Sequence, residues 1–302
     1  MILGRLRGQQ DKSGLAGALV KGGFVVVKAG KLLLALASFA AYAFLFTWQF
    51  AVIILGMLVI HEGGHLRCMK HFGMKTRGIF LIPLIGAAAV AEDNFPSRRA
   101  EAIIALAGPL TGAVLAAGTG LLYFATHNGA FAAAAAWMAL INLFNLLPVV
   151  PLDGGRVVKS ITCSIGSRTG LAAVIAGMLL GAVLAVTADL WIFVILIPLG
   201  LLDYLYDRHQ ALQGQQTQRR SRRRAGRHAR VTAAWTAPAG PASGDEAGQA
   251  GAHIPAAKPP LSPRAAQAAF ACYAGLAILL WMFMLAMGHQ PGAAAAMHAL
   301  QG

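Results

Sequence analysis

Charged side chains are scarce in this sequence of 302 residues. Only 12% of the residues are Asp, Glu, Lys or Arg, whereas 57% are hydrophobic and the mean hydropathy is +0.63. Soluble domains carry about 25% charged residues, so the deficit excludes an ordinary soluble protein and predicts a membrane protein. Cysteine is also rare: Cys68, Cys163 and Cys272 are an odd number at scattered positions, a pattern that indicates neither a disulfide framework nor a cysteine-based zinc site.

Long apolar runs fill most of the chain. Seven of them approach the roughly 20 residues that a helix needs to cross a bilayer, and they lie at 32–47, 50–66, 101–125, 130–148, 170–187, 189–206 and 266–287. They predict an all-α polytopic membrane protein with a core of about six transmembrane helices and one extra C-terminal transmembrane helix. Residues 78–91 are apolar but too short to span, and they contain Pro83 and Gly86. This segment predicts a short re-entrant hairpin.

Composition divides the chain into four parts. Residues 1–31 predict an N-terminal cytoplasmic segment, and residues 32–208 predict the membrane core. Residues 209–265 are rich in Gln, Arg, Ala, Gly and Pro without a periodic apolar face, which predicts a basic, disordered cytoplasmic linker. Residues 266–302 then supply the C-terminal transmembrane helix and a short tail.

Basic residues are absent from one side of the predicted membrane topology. The turns near 48–50, 126–129 and 188 and the tail after 287 contain no Lys or Arg. Because basic residues favour the cytoplasmic side, we predict a multi-pass plasma-membrane protein with a cytoplasmic N-terminus and a C-terminus on the opposite side. The oligomeric state is not indicated.

The net charge of +14 owes much to the run RRSRRRAGRHAR at 219–230. Such a run is typical of nucleic-acid binding, but a juxtamembrane polybasic segment gains about 1 kcal/mol per charge from an anionic leaflet. We therefore predict contact with anionic lipid of the bilayer and no nucleic-acid partner.

The stretch VIHEGGH, residues 59–65, places three polar groups inside an apolar run. On a helix, His61 and His65 lie one turn apart on the same face, so both imidazoles can reach one metal ion. Glu62 is then placed to activate a water on that ion. Two histidines supply two of the three protein ligands of a catalytic zinc, and the remaining position is left for water.

A third ligand must return to the depth of this motif, near the cytoplasmic end of the second span. Asp153 does so in FNLLPVVPLDGGR, residues 144–156, where Pro148 and Pro151 break the fourth span. The sequence therefore predicts one zinc ion per chain on His61, His65 and Asp153. Asn145 lies about two turns upstream, where its amide could donate to a substrate carbonyl or an oxyanion.

Three motifs together resemble the site-2 protease family of intramembrane zinc metalloproteases. They are HEGGH at 61–65, LAGPLTG at 106–112 and NLLPVVPLDGG at 145–155, and the resemblance covers roughly residues 50–160. It implies that the two histidines and the aspartate bind zinc, that the glutamate is the catalytic base, and that the substrate is a transmembrane helix cut within the bilayer.

Residue by residue, the family pattern carries over to His61, His65, Asp153 and Glu62. The function expected from it is an intramembrane zinc metalloendopeptidase that hydrolyses a peptide bond in or near a transmembrane segment of a membrane protein. By the same resemblance, the hairpin at 78–91 would be the edge against which an unwound substrate docks as an added strand.

One departure from the family pattern concerns an asparagine. Many relatives read GPLxN, but Gly112 stands where that asparagine would be. The role of the missing amide is therefore absent or supplied by Asn142 or Asn145. Outside the motifs, we expect Glu92, Asp93 and Glu101 to be polar residues at the membrane surface.

Three rival functions remain open from the sequence. A proteolytically silent member would act as a binding module for membrane proteins, but it would be expected to have lost Glu62 or a ligand. A metal transporter would need ligands strung across the membrane, and the far ends of the spans supply almost none. A different class of HExxH membrane protease would need an intramembrane glutamate as third ligand on a later helix, whereas Glu246 falls in the linker.

Overall fold

The computed structural model describes residues 29–187, 192–209 and 258–301. These residues are mainly helical, with one two-stranded sheet. In chain order the elements are α1 (Ala29–Leu45), α2 (Trp48–His71), β1 (Thr76–Ile82), β2 (Gly86–Ala91), α3 (Arg98–Thr126), α4 (Gly129–Asn145), α5 (Asp153–Ile165), α6 (Ser167–Thr187), α7 (192–209), α8 (Pro263–Gly288) and α9 (Ala293–Gln301). Nearly all of the expected N-terminal segment, to residue 28, and the greater part of the expected linker, 210–257, lie outside the described residues.

Each of the seven predicted spans coincides with a helix of the described chain. Four of these helices are long and apolar enough to cross a membrane, namely α2, α3, α6 from Arg168 onward, and α8, while α1 and α4 are shorter apolar helices. The prediction of a membrane protein built from helices is therefore confirmed at this level. The count of six core spans stays a prediction.

The segment predicted as a short re-entrant hairpin forms a β-hairpin, so the all-α class is wrong in this respect. Strand β1 pairs antiparallel with β2, and Ile79 lies opposite Ala89. Pro83 and Leu84, which has a φ of 63°, lie in the turn between the strands, as expected because proline favours the first central position of a turn. The re-entrant placement of this hairpin in a bilayer stays a prediction.

Helix α2 carries the HEGGH motif and begins at a side-chain cap. The Oγ1 atom of Thr47 accepts a hydrogen bond from the backbone N–H of Phe50 at 3.3 Å, which satisfies one of the donors that a helix start leaves open. Buried residues recur along α2 at helical spacing, and they include both histidines and the glutamate of the motif. The ligand face of α2 is therefore also its packing face.

The two glycines of the motif meet different surroundings. A Cβ atom on Gly64 would lie 2.5 Å from the carbonyl oxygen of Ala107 in α3 and would also collide with the Thr111 side chain, whereas nothing lies within 4 Å of a Cβ atom on Gly63. We therefore expect Gly64→Ala to lower the free energy of unfolding by about 1–3 kcal/mol through overpacking. The matched Gly63→Ala variant should be stabilised by up to about 1 kcal/mol, because alanine favours helix over glycine.

Chemical unfolding of the two variants in detergent, followed by circular dichroism, checks this pair. Equal stabilities would show that α2 and α3 do not approach closely at Gly64.

The chain divides into two compact units. Unit 1 contains the described residues up to Asn94, Ile103–Leu147 and those from Ala271 onward, and unit 2 contains Phe95–Ala102 and the described residues of Pro148–Phe270. Each unit has its own buried cluster of side chains.

In unit 1, helix α8 contributes to the core. Its residue Leu280 is buried in one cluster with Ala113 and Leu146, and the Tyr273 hydroxyl donates a hydrogen bond to the Leu146 carbonyl oxygen at 2.7 Å. The helix predicted as an extra C-terminal span thus contacts the core of unit 1 through one side, and its role as an additional span stays a prediction.

In unit 2, six charged side chains form a cluster of ion pairs. Its centre is Lys159, 1% exposed, whose Nζ atom lies 3.3 Å from the carboxylate of Glu101, itself only 2% exposed. The same ammonium group contacts Asp203 and lies 3.2 Å from Asp207. The expectation that Glu101 is a polar residue at the membrane surface is therefore wrong, because it is enclosed among opposite charges.

Arg98 and Lys258 complete this ion-pair cluster. Arg98 Nη1 lies 3.0 Å from Glu101 and 2.9 Å from Asp207, and Lys258 Nζ lies 3.1 Å and 3.0 Å from the same two carboxylates. Three carboxylates thus face three cations, so the cluster is formally neutral. A buried group of charges is tolerated only when it is balanced in this way.

Candidate metal centre

The two histidines of HEGGH are buried on one face of α2, as the spacing predicts. Their Nε2 atoms face each other at 3.1 Å. Both nitrogens can therefore reach one zinc ion, because two Zn–N bonds of about 2.0–2.1 Å each are long enough to meet between them.

The other ring nitrogen of each histidine faces a hydrogen-bond acceptor. His61 Nδ1 lies 3.0 Å from Oδ1 of Asn142 in α4, and His65 Nδ1 lies 2.7 Å from the carbonyl oxygen of Ile104 in α3. Because an acceptor requires a donor opposite it, both Nδ1 atoms carry the proton. In the neutral rings, each Nε2 atom then presents a lone pair toward the other.

Two lone pairs that converge at this distance repel each other unless positive charge lies close to both. A metal cation meets this requirement, and hydrogen bonding at Nδ1 is how proteins commonly orient a histidine that binds metal through Nε2. The donor chemistry of His61 and His65 therefore fits a bound zinc ion.

Helix α3 passes directly over the paired nitrogens. A Cβ atom on Gly108 would lie 2.6 Å from His61 Nε2 and 2.5 Å from His65 Cε1. Only glycine leaves this space open, so the residue preceding Pro109 in LAGPLTG has a steric reason to be glycine. The glycine of this motif thus allows α3 to pack closely against the two imidazoles.

Glu62 is buried and is held by the hairpin. Its Oε2 atom accepts a hydrogen bond from the backbone N–H of Ala89 in β2 at 2.6 Å. Because the partner is main chain in a paired strand, one carboxylate oxygen has a fixed position. The glutamate predicted to be the base is therefore oriented by β2.

Asp153 is the first residue of α5, belongs to unit 2 and is buried. The chain before it runs through a turn that contains Pro148 and Pro151, and a Cβ atom on Gly155 would collide with the Val149 backbone. Gly155 thus permits a tight entry into α5.

His61 and His65 belong to unit 1 and Asp153 to unit 2, and all three side chains are buried. Each of them offers one atom that could bind a metal ion. Two imidazoles and one carboxylate are a donor set that catalytic zinc uses in proteins, with a position left for water. The zinc cofactor expected from the sequence is supported by this group.

Asn145, the candidate for an oxyanion contact, is the last residue of α4 and is half-buried. Its role stays a prediction. The amide that contacts a histidine of the motif is that of Asn142, one helical turn earlier. Two further groups are backbone atoms, the Ile104 carbonyl and the Ala89 N–H, and no side-chain pattern could have revealed them.

Comparison with known proteins concerns this same region. Residues 49–129, which include HEGGH and LAGPLTG, match the sequence model of peptidase family M50. The resemblance to the site-2 protease family is thereby confirmed. The matched residues thus cover α2, the hairpin and α3, while Asp153 lies beyond them.

Two curated proteins illustrate how far the M50 similarity extends. Zinc metalloprotease MJ0392 of Methanocaldococcus jannaschii is 33% identical over 123 residues, which is 38% of this chain and 34% of that protein. Stage IV sporulation protein FB of Bacillus subtilis is 30% identical over 106 residues, which is 34% of this chain and 37% of that protein. The chain thus spans about a third of the length of these relatives.

Proposed function

We propose that the protein is an intramembrane zinc metalloendopeptidase that hydrolyses a peptide bond in or near a transmembrane segment of a membrane protein. The observation that carries this proposal is the pair of His61 and His65, whose Nε2 atoms converge with Glu62 beside them on a buried helix face. Similarity to M50 peptidases supports the same chemistry.

In this proposal His61, His65 and Asp153 hold one zinc ion. When bound, zinc supplies a Lewis acid that polarises the scissile carbonyl and lowers the pKa of water toward neutrality. Glu62 accepts the proton of the attacking water on its carboxylate and returns it to the leaving amine. The Ala89 N–H holds one oxygen of Glu62, so the base does not need to be ordered when the substrate arrives.

The substrate in this proposal is an unwound segment of a membrane-spanning protein. A helical peptide bond is shielded by its own hydrogen bonds, so the segment must open before water can attack it. Strand β2 supports a docking edge, because Ala89 in this strand contacts Glu62 directly. A substrate strand added along β2 would therefore lie beside the base.

The proposal also includes three expectations from the sequence, which concern Asn145, the membrane orientation and lipid contact. Asn145 would donate its amide to the substrate carbonyl or the oxyanion. The distribution of Lys and Arg favours a cytoplasmic N-terminus, a C-terminus on the opposite side and an active site near the cytoplasmic face of the cell membrane. Anionic lipid at the basic linker completes the proposed partners.

The proposal is tested first by removing the third ligand. We expect Asp153→Ala to weaken zinc binding by more than the roughly 10–100-fold that changes outside the ligand shell cause, and to stop cleavage. Zinc affinity of the detergent-purified protein is measured by competition with a chromophoric chelator. Asp93→Asn is the matched control, because Asp93 is exposed and an amide oxygen can still accept its hydrogen bond from the Lys75 N–H.

Cleavage is measured on membrane proteins that bind to an inactive variant of this protein. Membrane proteins trapped by the inactive Glu62→Gln variant are identified by mass spectrometry, and each is then reconstituted in liposomes with the unaltered protein. Fragments with a new terminus inside a predicted span support the proposal. Tight zinc binding with no cleavage of any trapped protein would instead favour the silent binding module, and zinc flux into the liposomes would favour a transporter.

A further inference from the structure

Asn142 of α4 contacts His61, one of the two histidines of the HEGGH motif in α2. It is fully buried, and its Oδ1 atom lies 3.0 Å from His61 Nδ1. Its amide nitrogen donates a hydrogen bond to the Met138 carbonyl oxygen at 2.7 Å. Both ends of the side-chain amide are therefore engaged within unit 1.

These two contacts fix which way the amide points. The nitrogen must face the Met138 carbonyl, because only a donor can pair with it, so the oxygen must face His61. The His61 ring then has to place its proton on Nδ1. This tautomer leaves Nε2 as the acceptor atom that turns toward His65.

Gly112 of α3 provides the space that this amide occupies. A Cβ atom on Gly112 would collide with Oδ1 of Asn142 and would lie 2.7 Å from its Cγ. Any side chain at position 112 would thus push the amide away from His61. Gly112 and Asn142 are therefore sterically matched, because the Asn142 amide from α4 fills the space that a side chain on Gly112 of α3 would need.

We propose that Asn142 is a positioning residue that fixes the tautomer and orientation of His61 and thereby sets the metal affinity of the centre, with Gly112 as its steric partner. Asn142 does not touch the reacting atoms and acts only through the imidazole. The inference rests on the proposed function in one point, namely that His61 is a metal ligand.

Three variants test this inference through zinc affinity, measured at one pH by chelator competition. Asn142→Leu keeps the volume but removes the acceptor, and should weaken zinc binding about 10–100-fold, as loss of outer-shell partners does. Asn142→Asp keeps an acceptor for His61 but loses the donor to Met138, and should bind zinc nearly as the unaltered protein does. Gly112→Ala displaces the amide without deleting it and should weaken binding like Asn142→Leu.

A control separates positioning from packing between α3 and α4. Thr119 of α3 donates a hydrogen bond to the Leu115 carbonyl at 3.0 Å and lies 3.5 Å from the Met138 sulfur, far along the helix from the histidines. Thr119→Val should leave zinc affinity unchanged. If Asn142→Leu fails to fold, as judged by gel filtration, Gly112→Ala decides the question.

The inference is overturned if Asn142→Leu or a folded Gly112→Ala binds zinc as tightly as the unaltered protein. It is also overturned if Asn142→Asp is as weak as Asn142→Leu, because the hydrogen bond to Met138 would then be the one that matters. No substrate enters these measurements. A weakened zinc site in a protein that cleaves nothing would sink the proposed function and leave the role of Asn142 standing.

Discussion

Glu62→Gln is expected to lower the rate of peptide-bond cleavage by at least about 10²–10⁴-fold, the contribution of a positioned general base, while zinc stays bound. Glutamine has nearly the same shape, and its side-chain oxygen can still accept the hydrogen bond from the Ala89 N–H. We therefore expect the fold and the proposed ligands to be retained, whereas the carboxylate that is proposed to take the proton from water is lost.

The measurement compares initial cleavage rates in liposomes at equal zinc content, determined by mass spectrometry of the metal. Glu92→Gln is the matched control. The Glu92 side chain is exposed and forms a surface ion pair with Arg77, so its replacement should leave the rate unchanged. Cleavage by Glu62→Gln at the unaltered rate would remove Glu62 from the mechanism.

Lys159→Met is expected to lower the free energy of unfolding by about 3–5 kcal/mol, the cost of breaking a buried ion pair from one side. Methionine fills a similar volume but leaves three carboxylates, Glu101, Asp203 and Asp207, facing only two cations. A buried carboxylate without sufficient positive charge nearby is costly, because the protein interior solvates it poorly.

Arg77→Met is the control for this prediction. The Arg77 and Glu92 side chains are 67% and 42% exposed, and an exposed pair contributes only about 0–1 kcal/mol. Unfolding by denaturant in detergent, followed by circular dichroism, gives both values. A Lys159→Met protein as stable as Arg77→Met would mean that the ion-pair cluster is hydrated in solution.

The pKa values of the groups in the ion-pair cluster determine the pH range in which the two stabilities can be compared. Burial alone would lower the pKa of Lys159, but Glu101, Asp203 and Asp207 outweigh it and raise the pKa. The contribution of Lys159 is therefore complete below its unfolded pKa of about 10.4 and is lost only as pH rises through the higher folded value.

Asp207 behaves in the opposite sense. Burial alone would raise its pKa, but Lys159, Lys258 and Arg98 outweigh it and hold the pKa of this carboxyl below its ordinary range. Its contribution is complete above the unfolded pKa of about 3.9 and is lost as pH falls through the folded value. The unfolding comparison should therefore give the same difference anywhere between about pH 5 and pH 9.

The sequence predicted the helices and the histidine pair because both depend on local spacing. Apolar runs of span length coincide with helices of the structure, and the four-residue interval places His61 and His65 on one face whatever surrounds them. The choice of Asp153 as candidate third ligand followed from the depth to which a proline-broken span returns and from the resemblance to site-2 proteases, and it stays a prediction.

The sequence did not predict features that depend on distant partners. A short apolar run such as 78–91 has no periodicity that separates strand from helix, so only the resemblance, which implied an edge for an added strand, pointed to β structure there. Glu101 was expected at the surface, because nothing local shows that Lys159 and Lys258 enclose it. The contact of Asn142 with His61 likewise depends on the space left by Gly112 on another helix.

The salt bridge between Asp207 and Lys258 has a practical consequence for anyone who manipulates this protein. The chain departs shortly after Asp207 and comes back at Lys258, and the two side chains lie 3.0 Å apart. The two residues that flank the intervening fifty are therefore in direct contact. A reporter sequence inserted between them, or a protease cut made there, would leave this contact between the flanking residues in place.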